Sequence, residues 1–269
     1  MRTAMRHNIT ILAWFLAVLA IIVVSVIWIT RFSNETQAAP GETDGEAIIR
    51  SMEAVPIAPI EDHIFQKEKD EILRKILDDP DRTFQTLADI NTVILGDSRV
   101  VGFSMYGFMD PSRILAGTSW SIQEIPALYG IIEQMNPRFV IVSFGVNEIG
   151  QQYFTPVYYS TDESYIADLK VYMDTIQSIV PDAKIYFSAI LPVSDWGLEA
   201  KPGFAIIPER NQAIKQFCEE SGYGFIDTEH LTYEHPDLYI ADGVHFYAEF
   251  YPYWGRDILE QIIADGGIS

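Results

Sequence analysis

A single cysteine, Cys218, stands in a chain of 269 residues. One cysteine excludes an intrachain disulfide, a pattern that fits an exported bacterial protein better than an exported eukaryotic one, where several are common. Its place on the apolar side of a helical stretch predicts a core position, not a reactive thiol. Basic residues are also scarce, with 18 Lys and Arg against 38 Asp and Glu and a net charge of −20. Without clustered Lys and Arg there is no footprint for nucleic acid or for an anionic lipid surface. His, Cys, Asp and Glu do not gather at metal-ligand spacing, so no metal is expected. No internal repeat is present, which leaves room for one full domain plus accessories.

Charge is absent altogether from Ile9 to Thr30. A run of that length spans a hydrocarbon core of roughly 30 Å as a helix. Arg2, Arg6 and His7 precede it, and the first acidic residue is Glu35. The positive-inside rule puts the N-terminus in the cytoplasm and the rest of the chain outside, as a single-pass membrane protein. The competing reading is a cleaved signal peptide. Its apolar stretch is normally about 7–15 residues long, and the small residues Ala38 and Ala39 are followed by Pro40, a poor cleavage context. The retained anchor is the preferred reading. The chain thus divides into an anchor at 1–31, a tether and stalk at 32–89, and a catalytic domain at 90–269. In the second part, residues 32–62 lack periodicity. Ile64, Ile72, Leu73, Ile76, Leu77, Phe84 and Leu87 then follow helical spacing, broken by Pro80, which predicts two short helices.

From residue 90 the pattern alternates between strand and helix. Thr92–Leu95, Arg113–Ala116, Phe139–Phe144, Lys184–Ile190 and Gly224–Asp227 are short and apolar on both faces, as parallel strands covered by helices should be. Ser160 and Glu163 suggest a capping box for the helix carrying Tyr165, Leu169, Met173 and Ile176. Pro208 suits a first turn, Gly222 a helix end, and a last helix carries Trp254, Ile258 and Ile262. The predicted fold is a three-layer, flavodoxin-like α/β domain with a five-stranded parallel sheet.

Ligands of such sheets bind at the carboxyl ends of the strands. Those ends carry Gly96-Asp97-Ser98, Gly117-Thr118-Ser119 and Gly145-Val146-Asn147-Glu148, and Asp242-Gly243-Val244-His245 precedes the last helix. A serine hydroxyl becomes a nucleophile when an imidazole accepts its proton, and a carboxylate steadies that imidazole. Ser98, His245 and Asp242 supply these three groups. The N–H groups of Ser98 and Gly117 and the amide of Asn147 would face the oxyanion. These four blocks resemble the signatures of the SGNH, or GDSL, hydrolase superfamily, named for the Ser, Gly, Asn and His that fall here on Ser98, Gly117, Asn147 and His245. The resemblance implies a flavodoxin-like sheet, acyl-serine chemistry and no cofactor.

Two positions depart from the family pattern: Arg99 in place of Leu and Glu148 in place of Asp. Neither supplies a reacting atom. Arg99 reads as a solvent-facing or Glu-paired side chain, with an anionic substrate group as the sharper alternative. Ser98 has a rival reading as a helix cap, and Asn147 as a turn residue. His230 and His235 read as surface histidines. Trp120, Tyr153, Tyr158, Tyr159, Trp196 and Phe204 gather after strands two to four, where they would stack on sugar rings or cover a core edge. The leading expectation is an extracytoplasmic esterase acting on small O-acyl groups, acetyl first, of a cell-envelope glycan. Two rivals stay open. One is an acyltransferase to a surface polysaccharide, working with a multi-pass membrane acyltransferase; the other is a non-catalytic envelope-binding protein.

Overall fold

A computed structural model describes residues 58–150 and 161–267. The expected membrane span at 9–30 and nearly all of the tether lie outside the described residues. Among the described residues, no helix is long and apolar enough to cross a membrane. The chain divides into two compact units, residues 1–70 and 71–269. Helices α1 (Ala58–Leu77) and α2 (Pro80–Asp89) are the two foreseen ahead of the sheet. Asp79 separates them, its carboxylate accepting the Arg82 N–H, and Pro80 takes a first-turn position where no N–H is needed. Their apolar residues do not form one continuous buried face, as the spacing suggested. Ile76 and Leu77 pack on the core and Phe84 and Leu87 enter it, whereas Ile64 and Ile72 are exposed.

The chain then runs β1 (Thr92–Gly96), α3 (Ser98–Met105), β2 (Ile114–Ala116), α4 (Ile125–Met135), β3 (Phe139–Ser143) and α5 (Val146–Gly150). It continues through α6 (Asp162–Ile179), β4 (Lys184–Ser188), α7 (Asp195–Ala200), α8 (Ile207–Ser221), β5 (Gly224–Ile226), α9 (His230–Glu234) and α10 (Tyr251–Ala264). All strand pairings are parallel, in the order β2-β1-β3-β4-β5. The expected five-stranded, flavodoxin-like sheet is present. Its order reverses between β1 and β3, the topological switch point where such sheets bind ligands.

Alternation along each strand builds two cores. Val93, Leu95, Val140, Val142, Ile185 and Phe187 face α4, α6 and α8, meeting Ile132, Leu169, Met173, Ile214 and Cys218. Ile94, Phe139, Ile141, Tyr186 and Ile226 face the other way, toward Phe103 of α3 and Trp254, Ile258 and Ile262 of α10. Each such side chain stabilises the fold by about 1.5–3 kcal/mol on full burial. Cys218 is fully buried, and burial pushes its thiol up to about 12.

The strands are shorter than the apolar runs that announced them. The run through Ile190 ends as a strand at Ser188, because the Asn211 side chain takes over: its Oδ1 accepts the Ile190 N–H and its Nδ2 donates to the Ile190 carbonyl, both at 2.8 Å. The cap of α6 also shifts. Thr161, not Ser160, accepts the Ser164 N–H at 3.2 Å; Ser160 itself lies outside the described residues.

Candidate active site

β1 is buried along its whole length and turns at Gly96 directly into α3. Asp97 caps that helix, its carboxylate accepting the Arg99 N–H at 2.9 Å. The cap leaves Ser98, the first helical residue, with a hydroxyl free for other work, so the helix-cap reading of Ser98 fails. Ser98 Oγ lies 2.8 Å from His245 Nε2. The imidazole is held from behind, its Nδ1 2.6 Å from Asp242 Oδ2. The other carboxylate oxygen of Asp242 accepts the N–H groups of Val244 and His245 at 2.8 and 2.9 Å.

Burial works against ionisation of Asp242, but those two N–H groups and the imidazole outweigh it and hold the carboxyl below the ordinary carboxylate range. An ionised carboxylate only accepts, so Nδ1 carries the proton and Nε2 is the acceptor for the serine O–H. The loop bearing both residues is shaped by a Tyr239–Phe246 bridge and by Gly243, whose φ of +69° suits glycine.

Asn147, in α5, is buried beside the same cavity, and its Nδ2 donates to the Trp120 carbonyl at 2.7 Å. That partner lies on the loop after β2, so Asn147 joins two strand-end loops and does not merely close its own turn. Gly145 precedes it with a φ of +134°, which favours glycine.

The expectation for Gly117 changes. The register that pairs Gly96 with Ala116 carries the ladder one residue further, and the Gly117 N–H donates to the Gly96 carbonyl at 3.3 Å. That N–H therefore points into the sheet instead of at an oxyanion. It is Thr118 and Ser119 that line the cavity, Ser119 in a left-handed turn with φ of +63°.

The two departures from the family pattern are both buried. Arg99 is neither solvent-facing nor paired with Glu. It donates through Nη1 to the Leu191 carbonyl and lies 5.6 Å over the Phe246 ring, beneath the segment that carries His245. Its Nε and Nη2 have no hydrogen-bond partner. Glu148 accepts the Ile122 N–H at 2.8 Å, and burial pushes its carboxyl up to about 8. Burial thus favours the protonated form of Glu148, which braces α5 against the loop after β2.

Ser98, Asn147, Asp242 and His245 line one cavity of about 290 Å³. Its other walls include Val146, Phe204, Val244 and, from α7 and its end, Gly197, Ala200 and Lys201. Sequence reasoning pointed to Trp196 of α7 and to Phe204 after it but missed Gly197, Ala200 and Lys201, although the segment follows β4 at the carboxyl edge. Of the expected aromatics, Phe204 is buried in the cavity wall and Trp196 is exposed. Tyr153, Tyr158 and Tyr159 lie outside the described residues. His230 is exposed, 3.4 Å from Asp257, and His235 stacks on Tyr253. Among the described residues, no group of three or more His, Cys, Asp or Glu side chains could hold a metal ion.

A family model, the GDSL-like Lipase/Acylhydrolase family, matches residues 94–251, from β1 to the start of α10. The chain belongs to this family. It is a GDSL, or SGNH, serine hydrolase, an esterase by class. No curated protein matches it. Among solved structures, this GDSL hydrolase resembles Axe2, an acetylxylan esterase from Geobacillus stearothermophilus, with 17% identity and a TM-score of 0.51 over 64% of this chain and 95% of that one. It also resembles a lipase/acylhydrolase from Enterococcus faecalis, with 15% identity and a TM-score of 0.52 over 65% of this chain and 97% of that one. At these identities the likeness is one of fold.

Proposed function

We propose that the protein is an extracytoplasmic serine esterase that removes small O-acyl groups, acetyl first among them, from a cell-envelope glycan, anchored at the membrane through residues 9–30. The observation that carries the chemistry is the unbroken chain from Ser98 Oγ to His245 Nε2 and from Nδ1 to Asp242, at 2.8 and 2.6 Å. As Ser98 Oγ attacks the ester carbonyl, His245 Nε2 takes the serine proton and Asp242 stabilises the imidazolium. The carbonyl oxygen becomes an oxyanion that faces the Ser98 N–H at the start of α3 and the Asn147 amide. Collapse breaks the ester C–O bond. The departing alkoxide takes the proton from His245, leaving an acyl-serine. Water repeats the sequence, with His245 as its base, and frees the acid and Ser98.

The cavity of about 290 Å³ lies at the small end of the usual range of about 300–1,000 Å³ for ligand pockets, which favours a short acyl group over a fatty acyl chain. The solved acetylxylan esterase acts on an acetylated glycan by its name, and the uncharged run at 9–30 followed by acidic sequence supports export. The test is acetate release from O-acetylated envelope glycan by the purified protein. Release by the wild type and none by Ser98→Ala is expected; equal release by both would sink the reading.

A further inference from the structure

We infer that the active-site cavity is built for an ester that bears a negative charge, a carboxylate or phosphate group, and that Lys201 is the side chain that meets it. This inference rests on the esterase reading and names the substrate class for the same site. Among the described residues, Lys201 is the only Lys or Arg that lines the cavity, in a chain with 38 acidic and 18 basic residues. It is exposed, and among the described residues it has no ion-pair partner. Its ammonium stands 5.8 Å from the ring of Phe204, itself part of the cavity wall.

The position of Lys201 relative to the reacting groups is fixed through the backbone. Its N–H donates to the Gly197 carbonyl at 3.0 Å and closes α7. The Ser194 N–H, at the other end of α7, donates to the Gly243 carbonyl at 2.9 Å, within the turn between Asp242 and His245. A Cβ added at Gly197 would come within 2.7 Å of that same carbonyl. α7 is therefore clamped onto the catalytic loop, and Lys201 is carried with it.

The electrostatics follow. The field of so acidic a protein repels anions at long range, and the Asp242 carboxylate lines the same cavity. A neutral substrate needs no cation there. An anionic one does, and an unpaired ammonium at the wall supplies a charge-assisted hydrogen bond. An ordinary lysine that only covers Phe204 with its stem would serve as well with its charge removed, and this separates the two roles.

The experiment compares matched acetyl esters. These are 4-acetoxybenzoate against its methyl ester, and 4-acetoxyphenyl phosphate against its dimethyl ester, with wild type, Lys201→Ala, Lys201→Met, Lys201→Glu and Lys201→Arg. The readout is the ratio of kcat/KM on the charged ester to kcat/KM on its neutral mate. Lys201→Ala and Lys201→Met should lower that ratio about 10- to 100-fold, mainly through KM, as loss of one hydrogen bond to a charged group does. Lys201→Glu should lower it further, and Lys201→Arg should restore most of it. A fall in one pair alone identifies the carboxylate or the phosphate as the group recognised. An unchanged ratio, or an equal loss on charged and neutral esters that Lys201→Met repairs, overturns the inference and leaves the esterase reading standing. If the wild type cleaves none of the four esters, the esterase reading falls and takes this inference with it.

Discussion

Ser98 and His245 meet across 2.8 Å, yet the two sides of that contact are built differently. Ser98 stands where a fully buried strand becomes a capped helix, with the parallel ladder on both sides of it. His245 rides on a loop between α9 and α10 whose only strand-like pairing among the described residues is the Tyr239–Phe246 bridge. The loop is braced by side chains instead. Tyr239 donates to the Pro192 carbonyl at 2.7 Å, and Arg99 lies under Phe246. Ser98, the proposed nucleophile, is thus fixed by regular structure, whereas His245, its proposed base, is fixed by a few side-chain contacts. Damage on the loop side should therefore cost alignment more than fold.

The largest effect should come from breaking the contact itself. Ser98→Ala should abolish hydrolysis of a short p-nitrophenyl ester and His245→Ala should nearly do so. The double variant should be scarcely worse than either, because members of one proton-transfer unit are not additive. Additive losses in steady-state kinetics would mean that the two residues act separately.

Next comes the oxyanion side. Asn147→Ala should keep the fold, by circular dichroism, and lower kcat about 10²–10³-fold. A near-normal kcat would reduce Asn147 to a brace for the Trp120 loop. Gly243→Ala sharpens the contrast between the two sides. A Cβ there would come within 2.3 Å of Ser194 Oγ at a φ of +69°, a strain on the order of 1–3 kcal/mol. It should lower kcat while leaving the melting temperature within a few degrees of wild type, because the strain falls on the turn that carries Asp242 and His245, while Tyr239, Phe246 and Phe250 of the same loop keep their places in the core. A large drop in melting temperature with normal kcat would reverse the assignment.

The smallest effect is on stability and belongs to Glu148. Its folded carboxyl sits at about 8 against an ordinary 4.5, so the folded state holds a proton that the unfolded state has lost between those values. Stability must then fall as pH rises through that window, by on the order of a few kcal/mol, and level off above it. Glu148→Gln keeps an acceptor for the Ile122 N–H and should remove the slope above about pH 6, the value to which burial pushes the Asp257 carboxyl, whose own contribution ends there. Denaturant melts from pH 4.5 to 9 would show it, and a slope between about pH 6 and 8 that persists in the variant would place its origin elsewhere.

Much of this could be read from the sequence because the physics there is local. Val93-Ile94-Leu95 and Phe139-Val140-Ile141-Val142 are apolar on both faces, and only a doubly covered strand buries both. Gly96-Asp97-Ser98 and Asp242-Gly243-Val244-His245 lie at strand and loop ends that the parallel topology brings to one edge. What could not be read depends on register and packing. Gly117 loses its free N–H because the ladder extends one residue past Ala116. Arg99 is buried because Leu191 and Phe246, from distant segments, offer a carbonyl and a ring. Lys201 enters the site only because Gly197 and Gly243 let two backbones meet.

The most direct test of the central claim is labelling by a fluorophosphonate, which reacts fast with a serine whose proton has an acceptor and slowly with an ordinary one. Mass spectrometry of the labelled wild type should find one adduct, on Ser98, with none on Ser98→Ala and a strongly slowed reaction on His245→Ala. A folded wild type that never labels, or an adduct on another serine, would contradict the account.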